Sequence, residues 1–229
     1  MSPAVLTQRG HFITFEGGEG AGKSTQVRML AERLQRTGQQ VLVTREPGGT
    51  PGAEIMRHLV LTGVGKALGP DFEALLFAAA RDDHVTQVIR PALERGIWVL
   101  CDRFIDSTRV YQGRVGDVDP TLIRALERAT IGSLRPDLTL VLDVPTEIGL
   151  ARAAVRRGGS AIDRFEAEDI SFHRRLRDAY RQVAAEEPDR CVLIDAGGLP
   201  PEVSARIWSV VEGRFADVLR PSIRAVARG

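Results

Sequence analysis

The run Gly17-Gly18-Glu19-Gly20-Ala21-Gly22-Lys23-Ser24 fits G-x-x-x-x-G-K-[ST], a spacing suited to one kind of chemistry. Glycines let backbone N–H groups curl around phosphate oxygens, and a helix starting behind them points the positive end of its dipole at the same anion. In that frame Lys23 reaches the β- and γ-phosphates, the Ser24 hydroxyl ligates Mg²⁺, and Thr25 extends the nucleotide-facing edge. All but two of the 31 basic residues are arginine, yet one of the two lysines stands here. A flexible ammonium fits between phosphates where a planar guanidinium is too wide.

The flanking sequence supplies the elements that such a loop needs. His11-Phe12-Ile13-Thr14-Phe15 is apolar and β-branched enough for a strand. Val27, Leu30, Ala31 and Leu34 then repeat at helical spacing, and Gly38 is a stop signal. Further strands are expected at 40–44, 97–101, 138–143 and 190–195, after a first one at 11–16. They are near-continuous apolar runs, as for strands covered on both faces, so a parallel sheet with helical crossovers follows. Helices are expected near 23–37, 52–61, 71–95, 104–112, 120–132, 146–157, 166–187 and 201–218. Gly158-Gly159-Ser160 reads as a hinge, and the tail after 220 as frayed.

At 229 residues and 43% apolar content, with no linker or repeat, the chain reads as one α/β domain over 1–229. A formal charge of +1 lacks the basic footprint of a polymeric nucleic-acid binder. The N-terminal residues do not pattern as a secretory signal, and no apolar run is long enough for a membrane span. Cys101 and Cys191 sit in strand-like runs and read as buried thiols of a cytoplasmic protein rather than a disulfide. Rival chemistries lack their signatures. The dinucleotide fingerprint fails because Lys23 or Thr25 occupies the sixth place, and without any Asn the chain has no guanine-reading N-K-x-D segment. Protein-kinase motifs, a G-x-S-x-G elbow and H-E-x-x-H are also missing. A small phosphotransferase remains, with a non-catalytic nucleotide-binding module as its rival.

Four other segments could carry the acceptor side. Arg45-Glu46-Pro47-Gly48-Gly49-Thr50 follows the second strand on the sheet edge where α/β folds bind ligands; Arg45 either clamps an anion or is a solvated turn residue. Asp102-Arg103 ends the third strand: the carboxylate can hold Mg²⁺ through water and the arginine can face phosphate, or the two form a strand-end ion pair. Glu46 is a further candidate metal oxygen. Phe77 and Arg81, four apart, share one helix face and suit stacking on and hydrogen bonding to a base, although Phe77 alone fits a core position better. Arg152, Arg156, Arg157 and Arg164 bracket the glycine hinge, either as a solvated basic helix or as a lid over about 152–165 that brings charge to the phosphates.

Together these motifs resemble those of the thymidylate kinases, from Phe12 to about Ile207. Phe15-Glu16-Gly17 through Thr25, Arg45 through Thr50, Leu76-Phe77-Ala78-Ala79-Ala80-Arg81 and Asp102-Arg103-Phe104-Ile105-Asp106-Ser107-Thr108-Arg109-Val110-Tyr111-Gln112-Gly113 are similar to successive family motifs, in order and spacing. Pro136 through Val144 resembles the family's fourth strand. The resemblance implies a P-loop, three-layer fold with five parallel strands and a short lid, as in nucleoside-monophosphate kinases. It implies transfer of phosphate from Mg-ATP to dTMP on the path to dTTP, in a homodimer built through long helices that include 71–95. It implies that Arg45 and Arg103 hold the dTMP phosphate, Phe77 stacks on thymine and Arg81 bonds a thymine carbonyl. Thr108 or Gln112 would lie near the ring edge, Tyr111 would crowd a 2′-hydroxyl, and Glu19 would face the 3′-hydroxyl. With no arginine in the P-loop, Arg156 or Arg157 would supply the catalytic lid charge. The sequence departs from the family at Val110, usually Ala, and in a longer lid around 158–162.

Overall fold

A computed structural model describes residues 9–63, 68–158 and 164–219. Its centre is a five-stranded parallel sheet ordered β2-β3-β1-β4-β5. The strands are β1 (Phe12–Glu16), β2 (Val41–Arg45), β3 (Trp98–Asp102), β4 (Leu138–Asp143) and β5 (Cys191–Asp195), each within a residue or two of its sequence expectation. Register brings Phe15 and Arg45 beside Asp102, so the carboxyl ends of β1, β2 and β3 share one edge.

Helices cover both faces. On one, α1 (Lys23–Arg36) and α9 (Pro200–Arg214) bury Leu30, Leu34, Val203 and Ile207 against Ile13, Phe15 and Leu140. On the other, the side chains of Phe12, Val99 and Cys101 pack with Val85, Ile89 and Leu93, while Val141 packs with Leu176 and Tyr180 of α8 (Ile170–Glu186). Strand alternation thus turns Ile13 and Phe15 toward α1, and Phe12, Thr14 and Glu16 the opposite way.

The remaining elements frame the edge: α2 (Pro51–Leu61), α3 (Pro70–His84), α4 (Arg90–Glu94), α5 (Ile105–Thr108), α6 (Pro120–Ile131), α7 (Thr146–Arg157) and the short α10 (Ala216–Leu219). The helix expected over 71–95 is continuous from 70 to 94, but Val85–Ile89 is wound as a π-helix. Pro91 has no N–H for the carbonyl four residues back, and the ladder shifts just ahead of it. The helix expected at 104–112 is a single α turn followed by a π-helical segment, Arg109–Val115. The helix expected from 166 starts at Ile170, because the Asp169 carboxylate accepts from Phe172 N–H at 2.8 Å and caps it. The frayed-tail expectation and hinge residues 159–163 lie outside the described residues. No described helix is long and apolar enough to cross a membrane.

Candidate active site

The loop after β1 is held by contacts that exclude side chains. Gly17 and Gly20 have φ of 135° and 66°, and a Cβ on Gly20 would stand 1.8 Å from the Gly149 carbonyl oxygen. Gly22 opens α1 in the left-handed region, and no side chain caps that helix. Its first N–H groups are therefore presented to an anion. Lys23 folds back, its Nζ donating to the carbonyls of Gly17 and Gly18 at 3.0 Å each. Burial, and then the charge of Arg103, lower its ammonium below the usual lysine range. Ser24 Oγ donates to Asp102 Oδ2 at 2.7 Å, which places a hydroxyl and a carboxylate side by side at the sheet edge.

The loop opens onto a cleft of about 340 Å³, lined at one end by Glu19, Gly20, Gly22, Lys23, Ser24 and Thr25. At the other end it is lined by Arg45, Phe77, Arg81, Arg103, Thr108, Tyr111 and Gln112. Gly17 and Gly18 contribute the carbonyls that hold Lys23, and Ala21 packs into the core. Arg103 has φ 71° and donates through Nη2 to Glu19 Oε1 at 2.6 Å and through Nη1 to the Gly17 carbonyl at 3.1 Å. Burial alone would raise the carboxyl of Glu19, but Arg103 and then Lys23 hold it at about 2. Tyr111 donates its hydroxyl to the same carboxylate at 3.2 Å.

The end of the cleft around Arg81 is bound together from within. Arg81 is 3% exposed; its Nε donates to Glu46 Oε2 at 2.8 Å and its Nη2 to Thr108 Oγ1 at 2.9 Å and the Phe104 carbonyl at 3.2 Å. The other Glu46 oxygen bonds His84 Nδ1 at 3.0 Å, and His84 Nε2 meets Thr44 Oγ1 at 2.7 Å. Glu46 thus gives one oxygen to Arg81 and the other to His84. Phe77 is half-buried on the cleft wall, not in the core, with its ring 6.4 Å from that of Phe165. Gln112 Nε2 donates to Glu73 at 2.9 Å, and Arg45 Nη2 to Glu54 at 2.8 Å.

Of the lid arginines, Arg156 lines the cleft and bonds Glu166 at 3.1 Å. Arg152 does not: it donates to the carbonyls of Ala196, Gly197 and Gly198, fastening the loop after β5. Arg164 pairs with Glu73. The side chain of Arg157 lies outside the described residues.

The sequence model of the family described as thymidylate kinase matches residues 15–207, from the end of β1 into α9. The chain belongs to the thymidylate kinase family. It is 67% identical over 226 residues to the thymidylate kinase of Nitrobacter winogradskyi, covering 98% of each chain. It is 66% identical over 207 residues to that of Bradyrhizobium diazoefficiens, covering 90% of this chain and 91% of the relative. The crystal structure of thymidylate kinase from Ehrlichia chaffeensis superposes with a TM-score of 0.72 at 33% identity, covering 89% of this chain and 99% of that one. As a thymidylate kinase family member the chain is a nucleoside-monophosphate kinase, and the non-catalytic rival reading falls away.

Several residues in or behind the cleft of this thymidylate kinase family member were given no role by the sequence. Ser107, Phe165 and Glu166 line the cleft, while His84 and Glu73 act from behind it. Ser107 lies inside the motif that ends at Gly113, and Phe165 at the end of the expected lid, which were the available hints.

Proposed function

We propose that this chain transfers the γ-phosphoryl group of Mg-ATP to dTMP, giving dTDP on the path to dTTP. The observation that carries the reading is one cleft with a phosphate cradle at one end and a stacking and hydrogen-bonding pocket at the other. The two ends suit a triphosphate donor and a nucleotide acceptor held in line.

Lys23 would exchange the Gly17 and Gly18 carbonyls for donor phosphates, and Arg156 would bring a second charge from the lid. Arg103 and Arg45 would hold the acceptor phosphate, Arg103 giving up its Glu19 contact as the anion arrives. Glu19, released, would face the 3′-hydroxyl. Phe77 would stack on the base and Tyr111 would crowd a 2′-hydroxyl. Arg81 can only donate, so it suits the carbonyl of thymine and leaves the amino group of cytosine unmatched. Thr108 and Gln112 would border the ring. No protein base is needed, because a phosphate monoester is already largely anionic near neutral pH.

Ser24 and Asp102 fit an Mg²⁺ ion, which takes hard oxygen ligands: one or two carboxylates plus phosphates and waters. Among the described residues no cluster of three or more His, Cys, Asp or Glu could form an all-protein cage, so the ion would arrive with the nucleotide. When bound it offsets charge on the transferred group. Ile55, Phe72 and Leu75 are exposed on the packed pair α2 and α3, which supports a homodimer through that face. Buried, unpaired Cys101 and Cys191 suit a cytoplasmic location.

The test is ADP release with dTMP, dUMP, dCMP, dGMP and the thymine ribonucleotide as acceptors. dTMP gives the highest kcat/KM. A purine or cytidine monophosphate that outperforms it contradicts the reading.

A further inference from the structure

Glu16, the last residue of β1, is fully buried and has no part in the transfer just described. The alternation of β1 points its side chain away from α1, into the space between the turn after β3 and α8. Its Oε1 accepts the backbone N–H of Phe104 at 2.8 Å and that of Ser107 at 3.2 Å. Its Oε2 accepts the Ser107 hydroxyl at 2.6 Å and the Tyr180 hydroxyl at 3.0 Å. Four donors converge on one side chain, the arrangement an ionised carboxylate needs inside a protein.

The same two hydroxyls serve a second group. Arg103 Nη1 donates to Tyr180 at 3.1 Å and to Ser107 at 3.4 Å. A positive charge, two hydroxyls and a negative charge thus stand in series. Arg103 needs such support, because a non-glycine residue at φ 71° persists only where its surroundings over-determine it. Its own N–H is tied to the Phe15 carbonyl at 2.9 Å, next to Glu16 in β1.

We propose that Glu16 is a positioning residue: the buried counter-charge that, through the hydroxyls of Tyr180 and Ser107, holds the Arg103 guanidinium at the acceptor phosphate. This rests on the reading that Arg103 binds that phosphate. Tyr180 comes from the middle of α8, so the network ties the turn after β3 to that helix.

The test compares dTMP binding by titration calorimetry, together with steady-state kinetics, for Tyr180→Phe, Glu16→Gln, Arg103→Ala and the double variant Tyr180→Phe/Arg103→Ala. Tyr180→Phe and Glu16→Gln each weaken dTMP binding roughly five- to tenfold, the scale of one charge-assisted hydrogen bond, and leave KM for ATP within about twofold. In the Arg103→Ala background Tyr180→Phe adds less than about twofold, because its route to the ligand is gone. If Glu16→Gln fails to fold, Tyr180→Phe, which loses only a hydroxyl, decides the matter. Unchanged dTMP affinity in Tyr180→Phe, or additive losses in the double variant, overturns the positioning role while Arg103→Ala can still show the arginine's contact. Unchanged dTMP affinity in Arg103→Ala overturns both.

Discussion

Around Arg81 the polar side chains of the cleft hold one another in a closed, buried set, whereas across the cleft the two cations Lys23 and Arg156 rest on loop carbonyls and on a single carboxylate. Arg81 is fixed by Glu46, Thr108 and the Phe104 carbonyl, and Glu46 in turn by His84. Lys23 rests on two loop carbonyls, and Arg156, 60% exposed, bonds Glu166. The difference teaches where binding and turnover part company. Under the proposed transfer, a preformed wall would discriminate between acceptors in the ground state and act on KM. In the same transfer, charges that must move to reach the phosphates would act on kcat, since their contacts would be completed only as the reaction proceeds.

The largest effect expected is at the phosphate end. Lys23→Ala lowers kcat by roughly 10²-fold or more, with KM for dTMP little changed. Wild-type kcat in this variant would break the comparison at its root.

Two glutamates, one just before the glycine loop and one within it, sharpen the contrast through stability. Burial, and next Asp106, push the Glu16 carboxyl up from 4.5 to about 7, whereas Arg103 and Lys23 pull that of Glu19 down to about 2. A raised carboxyl binds protons more tightly in the folded state, so the stability that comes from protonating Glu16 is full below pH 4.5 and is lost as pH rises through 7, above which Glu16 carries the charge that faces Arg103. The Glu19 contribution is present above 4.5 and is lost as pH falls through 2. Urea unfolding across pH 4.5–7 therefore shows a downward slope that Glu16→Gln flattens; an identical slope in the variant refutes the burial argument.

Arg156→Ala is next in size, with kcat down about tenfold and KM for dTMP within about twofold. An effect confined to KM would move Arg156 to the acceptor side. The smallest effect is Thr108→Val, which removes one acceptor of Arg81 and keeps the side-chain shape. It narrows the preference for dTMP over dCMP about threefold to tenfold, read as a ratio of kcat/KM values.

The glycine loop and the sheet were legible because their signals are local. Gly17 to Ser24 is one contiguous pattern, and each strand is a near-continuous apolar run. The π-helical segments were not, since they depend on how the ladder is shared around Pro91 and after Thr108. Glu16, Ser107 and Tyr180 lie on β1, α5 and α8, far apart in the chain, and only the fold brings them within hydrogen-bond reach. Arg152 shows the opposite failure: it shares a helix with Arg156, yet the loop after β5 claims it.

The central claim is that the acceptor wall is finished before the donor binds. Titrating dTMP and dCMP into the full chain by calorimetry, with no ATP present, measures this directly. The account predicts saturable dTMP binding about tenfold or more tighter than dCMP, the scale of one unmatched buried donor. Equal affinities, or no dTMP binding until a non-hydrolysable ATP analogue is added, would contradict it.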